Sequence, residues 1–414
     1  MKWAFKFLSR YAFVGGNYLV LLISWILMDF AGPIPATYST LFYKELGASD
    51  FLLSVITFSG LFVLAFVQFP GGYLADKHGR RWLVVTMTFG VSLGYLFFVL
   101  APSWQFIILG VIVQNFCLLY QPALFALMID SLQPENRGAG LTLQSVVMNL
   151  VSVPAPLIAF YITLVFGFDL GMRVAFSVAL ITYVAAATLR LRLKETLSSN
   201  SARDHPSFLD AIRAYPQSVM ESLRIWRDVP RSALFLFLAY AGVSSLVAGC
   251  STYFLIYVTE VLGMTQLQWS IAMAFMWLSV AIPVILAGLR MDVVGRKRFL
   301  ILSFLLYIPA MVIFVFANFY MLLVSFFFFG MAQILQSSSY QSLLGDLTPR
   351  EMRGKVVGCS QFFAYLSQAF TALLIGLIYS YISPQLPFIL LAVGVIPMTM
   401  IVFYRVSEAK AKEV

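Results

Sequence analysis

Long apolar runs broken by short charged turns set the pattern of this chain. Runs of about 20 apolar residues, the length of helix that crosses a bilayer's hydrocarbon core, occupy 15–43, 50–74, 82–101, 104–130, 139–165 and 170–190. They continue at 232–260, 267–289, 298–317, 319–346, 354–380 and 384–405. Only helices satisfy their own backbone in lipid over runs this long, so the pattern predicts an all-α membrane protein with twelve transmembrane helices, numbered here as spans 1–12. The pattern is also written twice. Gly72, Asp76, Gly79 and Arg80 return 216 residues later as Gly288, Asp292, Gly295 and Arg296, and Arg81 returns as Lys297. Asp130, Arg137 and Gly138 return as Asp346, Arg353 and Gly354, and Leu46-Gly47 as Leu262-Gly263. A repeat at a fixed offset predicts two pseudo-symmetric six-helix bundles: 1–190, then a linker at 191–231, then 232–414.

Polar side chains inside the spans refine this picture, because Asn and Gln are costly against lipid and turn toward protein or a wet cavity. Span 4 carries Gln114, Asn115 and Gln121, and span 5 carries Gln144 and Asn149. Span 10 sets Gln333, Gln336 and Tyr340 on one helical face, span 11 does the same with Gln361, Tyr365 and Gln368, and span 7 contributes Tyr240. These residues are the candidate lining of a substrate cavity. The bodies of spans 3, 6, 9 and 12 lack such amides and read as peripheral. In the linker, Ser207 and Asp210 fit a capping box, followed by Phe208, Ile212, Tyr215, Val219, Leu223 and Trp226 at helical spacing. That predicts one or two amphipathic helices on the inner membrane surface, the alternative being a flexible charged linker.

Composition agrees with membrane embedding: 61% of the 414 residues are hydrophobic and 11% charged. A net charge of +9 would suit nucleic acid, but its placement does not. With both termini inside, all Lys and Arg residues except Lys44 and Arg173 fall before span 1, in inner turns or at the inner ends of spans, in the linker or after span 12. That is the positive-inside pattern, so a multi-pass plasma-membrane protein with cytoplasmic termini and no nucleic-acid partner is expected. Cys117, Cys250 and Cys359 all lie within spans and imply no disulfide framework. No Walker loop, metal-ligand cluster or set of nucleophile and base is visible, so neither ATP, a metal, a cofactor nor enzymatic activity is expected.

Twelve spans in two repeated halves, with Gly72-x-x-x-Asp76-Lys77-x-Gly79-Arg80-Arg81 after span 2, resemble the major facilitator superfamily over nearly the whole chain. Asp130, Pro134-Glu135 and Arg137-Gly138 look like that family's loop after helix 4. The resemblance implies helices 1, 4, 7 and 10 around a central cavity, and alternating access to it. It suggests a cytoplasmic gate built from Gly72, Asp76, Gly79, Arg80, Asp130 and Arg137, repeated as Asp292, Gly295, Arg296, Asp346 and Arg353. Arg80 with Asp130 and Arg296 with Asp346 are the natural pairs, and Glu195 is the suggested neighbour of Arg137. The plain alternative is that these are solvated loop charges obeying the topology rule. The stretch Asp29 to Pro35, with Leu46-Gly47, resembles helix 1 of the drug-proton antiporter branch. Where that branch usually carries an arginine in helix 4, this chain has Gly110, and of its helix 5 motif only Pro154 remains.

Asp29 is the acidic residue placed deep in a span, and intramembrane carboxyls are functional by default. It is the candidate proton-coupling and substrate residue, with no Lys, Arg or His deep in any span to pair with it. These readings together predict a monomeric, proton-coupled secondary transporter in the lipid bilayer. Its expected partners are protons and a small-molecule substrate, with export of a small apolar or cationic organic compound as the first choice. Proton-driven uptake of a neutral metabolite, such as a sugar or nucleoside, is the rival. A lipid transporter or a non-transporting sensor is the alternative from another class.

Overall fold

The computed structural model describes residues 13–196, 229–279, 295–349 and 352–408, with backbone alone at 68–78, 354 and 355. The described chain is helical and contains eleven helices long and apolar enough to cross a membrane. They are α1 (Gly16–Ala36), α2 (Asp50–His78), α3 (Arg80–Val99), α4 (Trp104–Asp130), α5 (Pro134–Phe166) and α6 (Phe168–Arg190), then α7 (Arg231–Ser251), α9 (Arg296–Val315), α10 (Phe319–Leu347), α11 (Arg353–Tyr381) and α12 (Leu386–Arg405). A further helix, α8, begins at 266 and is described to 279. The count therefore accords with the twelve spans read from the sequence. The linker pattern at 207–226 lies outside the described residues.

Helices α1–α6 pack on one another, as do α7 and α9–α12. The repeat is visible in the backbone. Gly79 and Gly295, at the start of α3 and α9, hold φ of 90° and 108°, in the left-handed region that suits glycine. Helix breaks fall within one residue of equivalent points too: a two-residue turn interrupts the helix at Thr37-Tyr38 after α1 and at Thr252-Tyr253 after α7. Pro33 and Pro154, which remove a backbone donor, interrupt α1 and α5 without ending them. Leu93, Ile181, Leu302 and Val393 are exposed on α3, α6, α9 and α12, an outward apolar surface suited to lipid, in keeping with the peripheral role read for those spans. Trp82, Tyr320, Tyr381 and Tyr404 are exposed near helix ends, where aromatic residues meet the membrane–water boundary.

Gly110, the position at which an arginine would stand, is explained by packing. A Cβ there would lie 2.4 Å from Phe98 Cε1 and 3.0 Å from the Gly94 carbonyl oxygen. Helices α3 and α4 thus approach through a glycine contact that leaves no space for a side chain.

The two bundles meet on the face opposite the arginine- and lysine-rich end, here called the basic face. Tyr38, following α1, donates to Gln266 O at 2.9 Å and receives a hydrogen bond from Ser270 Oγ at 2.5 Å. The repeat mirrors this: Tyr253, following α7, donates to Asp50 O at 2.9 Å in the first turn of α2. Trp269 Nε1 donates to Thr37 O at 3.0 Å. Aromatic pairs Phe51–Tyr381, Phe58–Phe370 and Phe66–Phe362 then seal α2 against the antiparallel α11. Between these sits Lys44, whose ammonium lies 2.7 Å from both Asp50 and Glu260. Lys44 and Glu260 are 216 residues apart, so each is the other's repeat equivalent. Among the described residues, the polar links between the bundles lie toward this opposite face and hold it closed.

Burial draws the Lys44 ammonium down, but bonds to Asp50 and Glu260 outweigh it and hold its pKa above that of an ordinary lysine. The lysine's contribution is therefore complete below the unfolded value of about 10.4 and fades only as pH climbs through the raised one. Glu260 is 44% exposed and solvent screens the pair, so about 0.2–1 kcal/mol is the expected strength. With nitroxide labels at the exposed positions Glu45 and Val261, Lys44→Ala should raise the population of long inter-label distances about two- to fivefold. An unchanged distance distribution would remove the lysine from the closure. Gly110→Val should lower the melting temperature clearly, since overpacking costs about 1–3 kcal/mol. A wild-type melting curve would contradict the close α3–α4 contact.

Candidate functional site

On the basic face, the motif after α2 builds the same network in each half. Arg80 pairs with Asp130 at the end of α4, and Arg296 pairs with Asp346 at the end of α10. The next basic residue caps the end of the sixth helix. Arg81 Nη2 donates to Leu191 O at 2.9 Å, and Lys297 Nζ to Phe403 O at 2.9 Å, the cation meeting the negative end of a helix dipole. A carboxylate closes each network at the positive end of the third helix. Glu195 Oε2 accepts from Arg81 N at 3.0 Å, and Glu408 lies where a Cβ on Gly295 would be. Glu195, expected beside Arg137, thus serves the start of α3 instead. These links tie neighbouring helices within a bundle. Arg137 is exposed at the start of a helical segment, and Arg353 Nε donates to Thr348 O at 3.1 Å. The side chains of Gly72, Asp76 and Asp292 lie outside the described residues.

In the carboxy-terminal half, α7, α9, α10 and α11 enclose a cavity of about 390 Å³. Tyr240, Gln333, Gln336 and Gln368 line it. Tyr340 stacks flat on Tyr240, with ring centroids 3.7 Å apart. Gln368 Nε2 lies 3.4 Å from Ser244 Oγ. The lining also includes Tyr307 from α9, whose hydroxyl donates to Gln336 Oε1 at 2.7 Å. The peripheral α9 therefore sends one polar group inward, a residue that counting amides alone passes over. Gln336 Nε2 is buried with no partner, and no charged residue lines this cavity among the described residues. Tyr365 is half-buried and Gln361 exposed.

The amino-terminal amides behave differently. Gln114 wedges against Gly94 between α3 and α4, with its Nε2 buried and unpartnered. Asn115 Nδ2 donates back to Val111 O at 2.9 Å and packs on Gly60 of α2. Both fill helix seams more than they line open space. Asn149 likewise donates to Ser145 O in its own helix at 2.8 Å. Gln144 is half-buried and Gln121 exposed.

Asp29 is half-buried, 13 residues into α1, which is about 20 Å along its axis. Ser152 Oγ of α5 donates to its backbone oxygen at 3.0 Å. The hydroxyls of Tyr183 and Tyr95 lie 3.1 Å and 3.5 Å from where a Cβ on Gly32, three residues on, would be, and their rings are 4.8 Å apart. The expectation that no cation lies deep in the bundle is corrected here. Arg190 ends α6, and its side chain is fully buried. Nε donates to Ser24 Oγ at 3.0 Å and Nη1 to Thr88 Oγ1 at 2.7 Å, while the guanidinium lies over the Tyr120 ring at 5.6 Å. The two hydroxyls hand their own protons to Leu21 O and Val84 O, which leaves lone pairs free for the arginine. Helical side chains lean toward the helix amino terminus. A terminal arginine on α6 therefore points into the bundle, where the sequence reading set it at the inner end of span 6.

A sequence description of the Major Facilitator Superfamily matches residues 18–289 and 265–414. The chain is 23% identical over 328 residues to a "Na(+), Li(+), K(+)/H(+) antiporter" of Planococcus maritimus, covering 73% of this chain and 74% of that protein. In fold it is similar to the human organic anion transporter MFSD10 (TM-score 0.68, 17% identity, 93% of this chain and 97% of that one). It is likewise similar to a peptide transporter of the POT family solved with sulfate (TM-score 0.71, 16% identity, 93% of each chain). With the match running from α1 to the end of α12, over a repeated twelve-helix plan, this chain belongs to the major facilitator superfamily of transporters.

Proposed function

We propose that this transporter is proton-coupled and works by alternating access, exchanging protons for small apolar or cationic organic compounds that it exports across the plasma membrane. The observation that carries this reading is Asp29: a carboxylate near the middle of α1, half-buried among the tyrosines Tyr95 and Tyr183. A carboxyl there can hold either a proton or a cationic group. The closed opposite face supports the alternation, since the contacts that seal it are few and repeat-related. The amino-terminal bundle (1–190) and carboxy-terminal bundle (232–414) would rock about this seal, joined by a cytoplasmic linker at 191–231, with both termini cytoplasmic and one chain sufficing as a monomer. Opening that face requires breaking the Tyr38, Tyr253 and Lys44 links, while the Arg80–Asp130 and Arg296–Asp346 pairs keep the helix ends of each bundle together as it moves. The distant relative's named activity, exchange of alkali cations for protons, is in line with a carboxylate that trades one cation for another.

A second reading, proton-driven uptake of a neutral metabolite, draws support from the uncharged cavity of amides, tyrosines and serines in the carboxy-terminal bundle. Such a lining suits hydroxyl and carbonyl groups.

The deciding experiment uses purified protein in proteoliposomes with an entrapped pH-sensitive dye. A panel of lipophilic cations, sugars, nucleosides and organic acids is added to wild type and to Asp29→Asn. Proton flux triggered by lipophilic cations, in the sense of exchange, and abolished in Asp29→Asn is expected. Flux triggered by sugars or nucleosides in the same direction as substrate would favour uptake, and flux undiminished in Asp29→Asn would end the coupling role of that residue.

A further inference from the structure

The cavity in the carboxy-terminal bundle has an open mouth and a closed floor. Gln333 and Ser337 of α10 and Ser251 of α7 are exposed, whereas Gln336, one turn along from Gln333, is 4% exposed and Tyr307 is fully buried. The Tyr307 hydroxyl gives its one proton to Gln336 Oε1 at 2.7 Å. That bond orients the amide. Were the amide turned over, Nε2 would donate to the tyrosine oxygen, and both the Tyr307 proton and the Gln336 oxygen would be left without a partner. In the observed arrangement the group left over is Nε2, a buried N–H donor on the wall of a cavity of about 390 Å³. A buried donor without an acceptor is costly. A ligand that displaces water here without offering an acceptor therefore binds poorly. The mouth has the opposite polarity: Ser251 Oγ donates to Ala248 O at 2.9 Å and keeps its acceptor lone pairs. Tyr240, covered by Tyr340 on one face, adds a flat aromatic wall.

We propose that Gln336 is a specificity-determining hydrogen-bond donor and Tyr307 its positioning residue, so that the cavity selects compounds carrying a neutral acceptor oxygen, such as a carbonyl, at their buried end. This deepens the reading of the cavity as part of the substrate site and does not depend on Asp29. Nε2 donates to the ligand oxygen, and Tyr307 keeps the amide from turning its own oxygen toward that carbonyl. A carboxylate is disfavoured, because no charged side chain lines the cavity among the described residues to replace its hydration. An analogue with a methylene in place of the carbonyl fits the same space but leaves Nε2 unmet. Discrimination of this kind turns on one atom of the ligand, and Tyr307 enforces it from α9, a helix whose outer surface faces lipid.

Equilibrium dialysis of the purified full-length protein tests this with two matched compounds, phenacyltrimethylammonium and phenethyltrimethylammonium. They share ring and ammonium group and differ by a carbonyl in place of one methylene. Wild type should bind the phenacyl compound about three- to tenfold more tightly, the worth of one hydrogen bond. Gln336→Met should bring the ratio of the two affinities close to one, and Tyr307→Phe, which keeps the ring and frees the amide, should lower it clearly. The ratio is taken within each variant, so a general loosening of the bundle cancels. If Gln336→Met does not fold, Tyr307→Phe decides alone. No preference in wild type, failure of both compounds to bind included, would overturn the proposal, as would a ratio unchanged in the folded variants. A ratio that falls in Gln336→Met and stays in Tyr307→Phe would overturn the positioning role. Ala248→Phe, or Ser251→Phe if that does not fold, fills the cavity and should weaken both compounds together. Affinities unmoved by that filling would end the reading of this cavity as a binding site. Affinities lost on filling, with the ratio intact in Gln336→Met, would leave that reading standing and overturn the proposal.

Discussion

Two halves of one chain related by a repeat can meet their own equivalents only along the axis that relates them. Lys44 and Glu260, 216 residues apart, do so, with their charged atoms 2.7 Å apart. Identical residues at such a point would face like with like, and two ammonium groups or two carboxylates there would repel. Opposite charges turn the same juxtaposition into a bond. Around it the two halves exchange reciprocal contacts, Tyr38 to the start of α8 and Tyr253 to the start of α2. Closure of this face therefore depends on a break of symmetry at its centre and on its preservation around that centre. The seam of α2 against α11 runs on from this closure toward the basic face.

The halves have diverged most where the chemistry sits. The carboxy-terminal bundle holds a cavity of neutral hydrogen-bonding groups, and the amino-terminal bundle holds Asp29 and Arg190. The repeat equivalent of Asp29 is Ser245, which carries no charge, while α12 ends in Arg405 as α6 ends in Arg190. Each bundle keeps its own internal links at the basic face. The paired networks of Arg80 with Asp130 and Arg296 with Asp346 are the part of the fold that did not diverge. They fasten helix ends, a task both bundles share.

Most of the architecture was legible in the sequence because lipid imposes it. Runs of apolar residues had to be helices, and the offset of 216 residues between Gly79 and Gly295 marked equivalent turns that the backbone geometry bears out. The polar face of span 10 was readable for the same reason, and Gln333 and Gln336 do line the cavity. The same logic faltered in span 4. A buried amide can be satisfied by its own helix or wedged against a glycine, as Asn115 and Gln114 are. Polarity says that a side chain avoids lipid, not which neighbour it finds.

Arg190 and Tyr307 were missed for a related reason. Span boundaries were drawn where apolar runs end, so a charge at residue 190 was set at the inner edge of span 6, although a terminal arginine on a helix running toward the basic face reaches back by several ångströms into the bundle. Its depth is set by Ser24 and Thr88, each eight residues into α1 and α3, which is about 12 Å from the helix start. The signal available in the sequence was chemical: two hydroxyl residues at matching depth in spans that otherwise face lipid or protein. Hydroxyls in apolar helices commonly return their proton to the preceding turn, and Ser24 and Thr88 do so. What remains of each oxygen is an acceptor with no partner in its own helix. Two such acceptors at one depth imply a donor between them, and in a bundle whose deep spans carry no lysine or histidine, the donor had to come from a helix end.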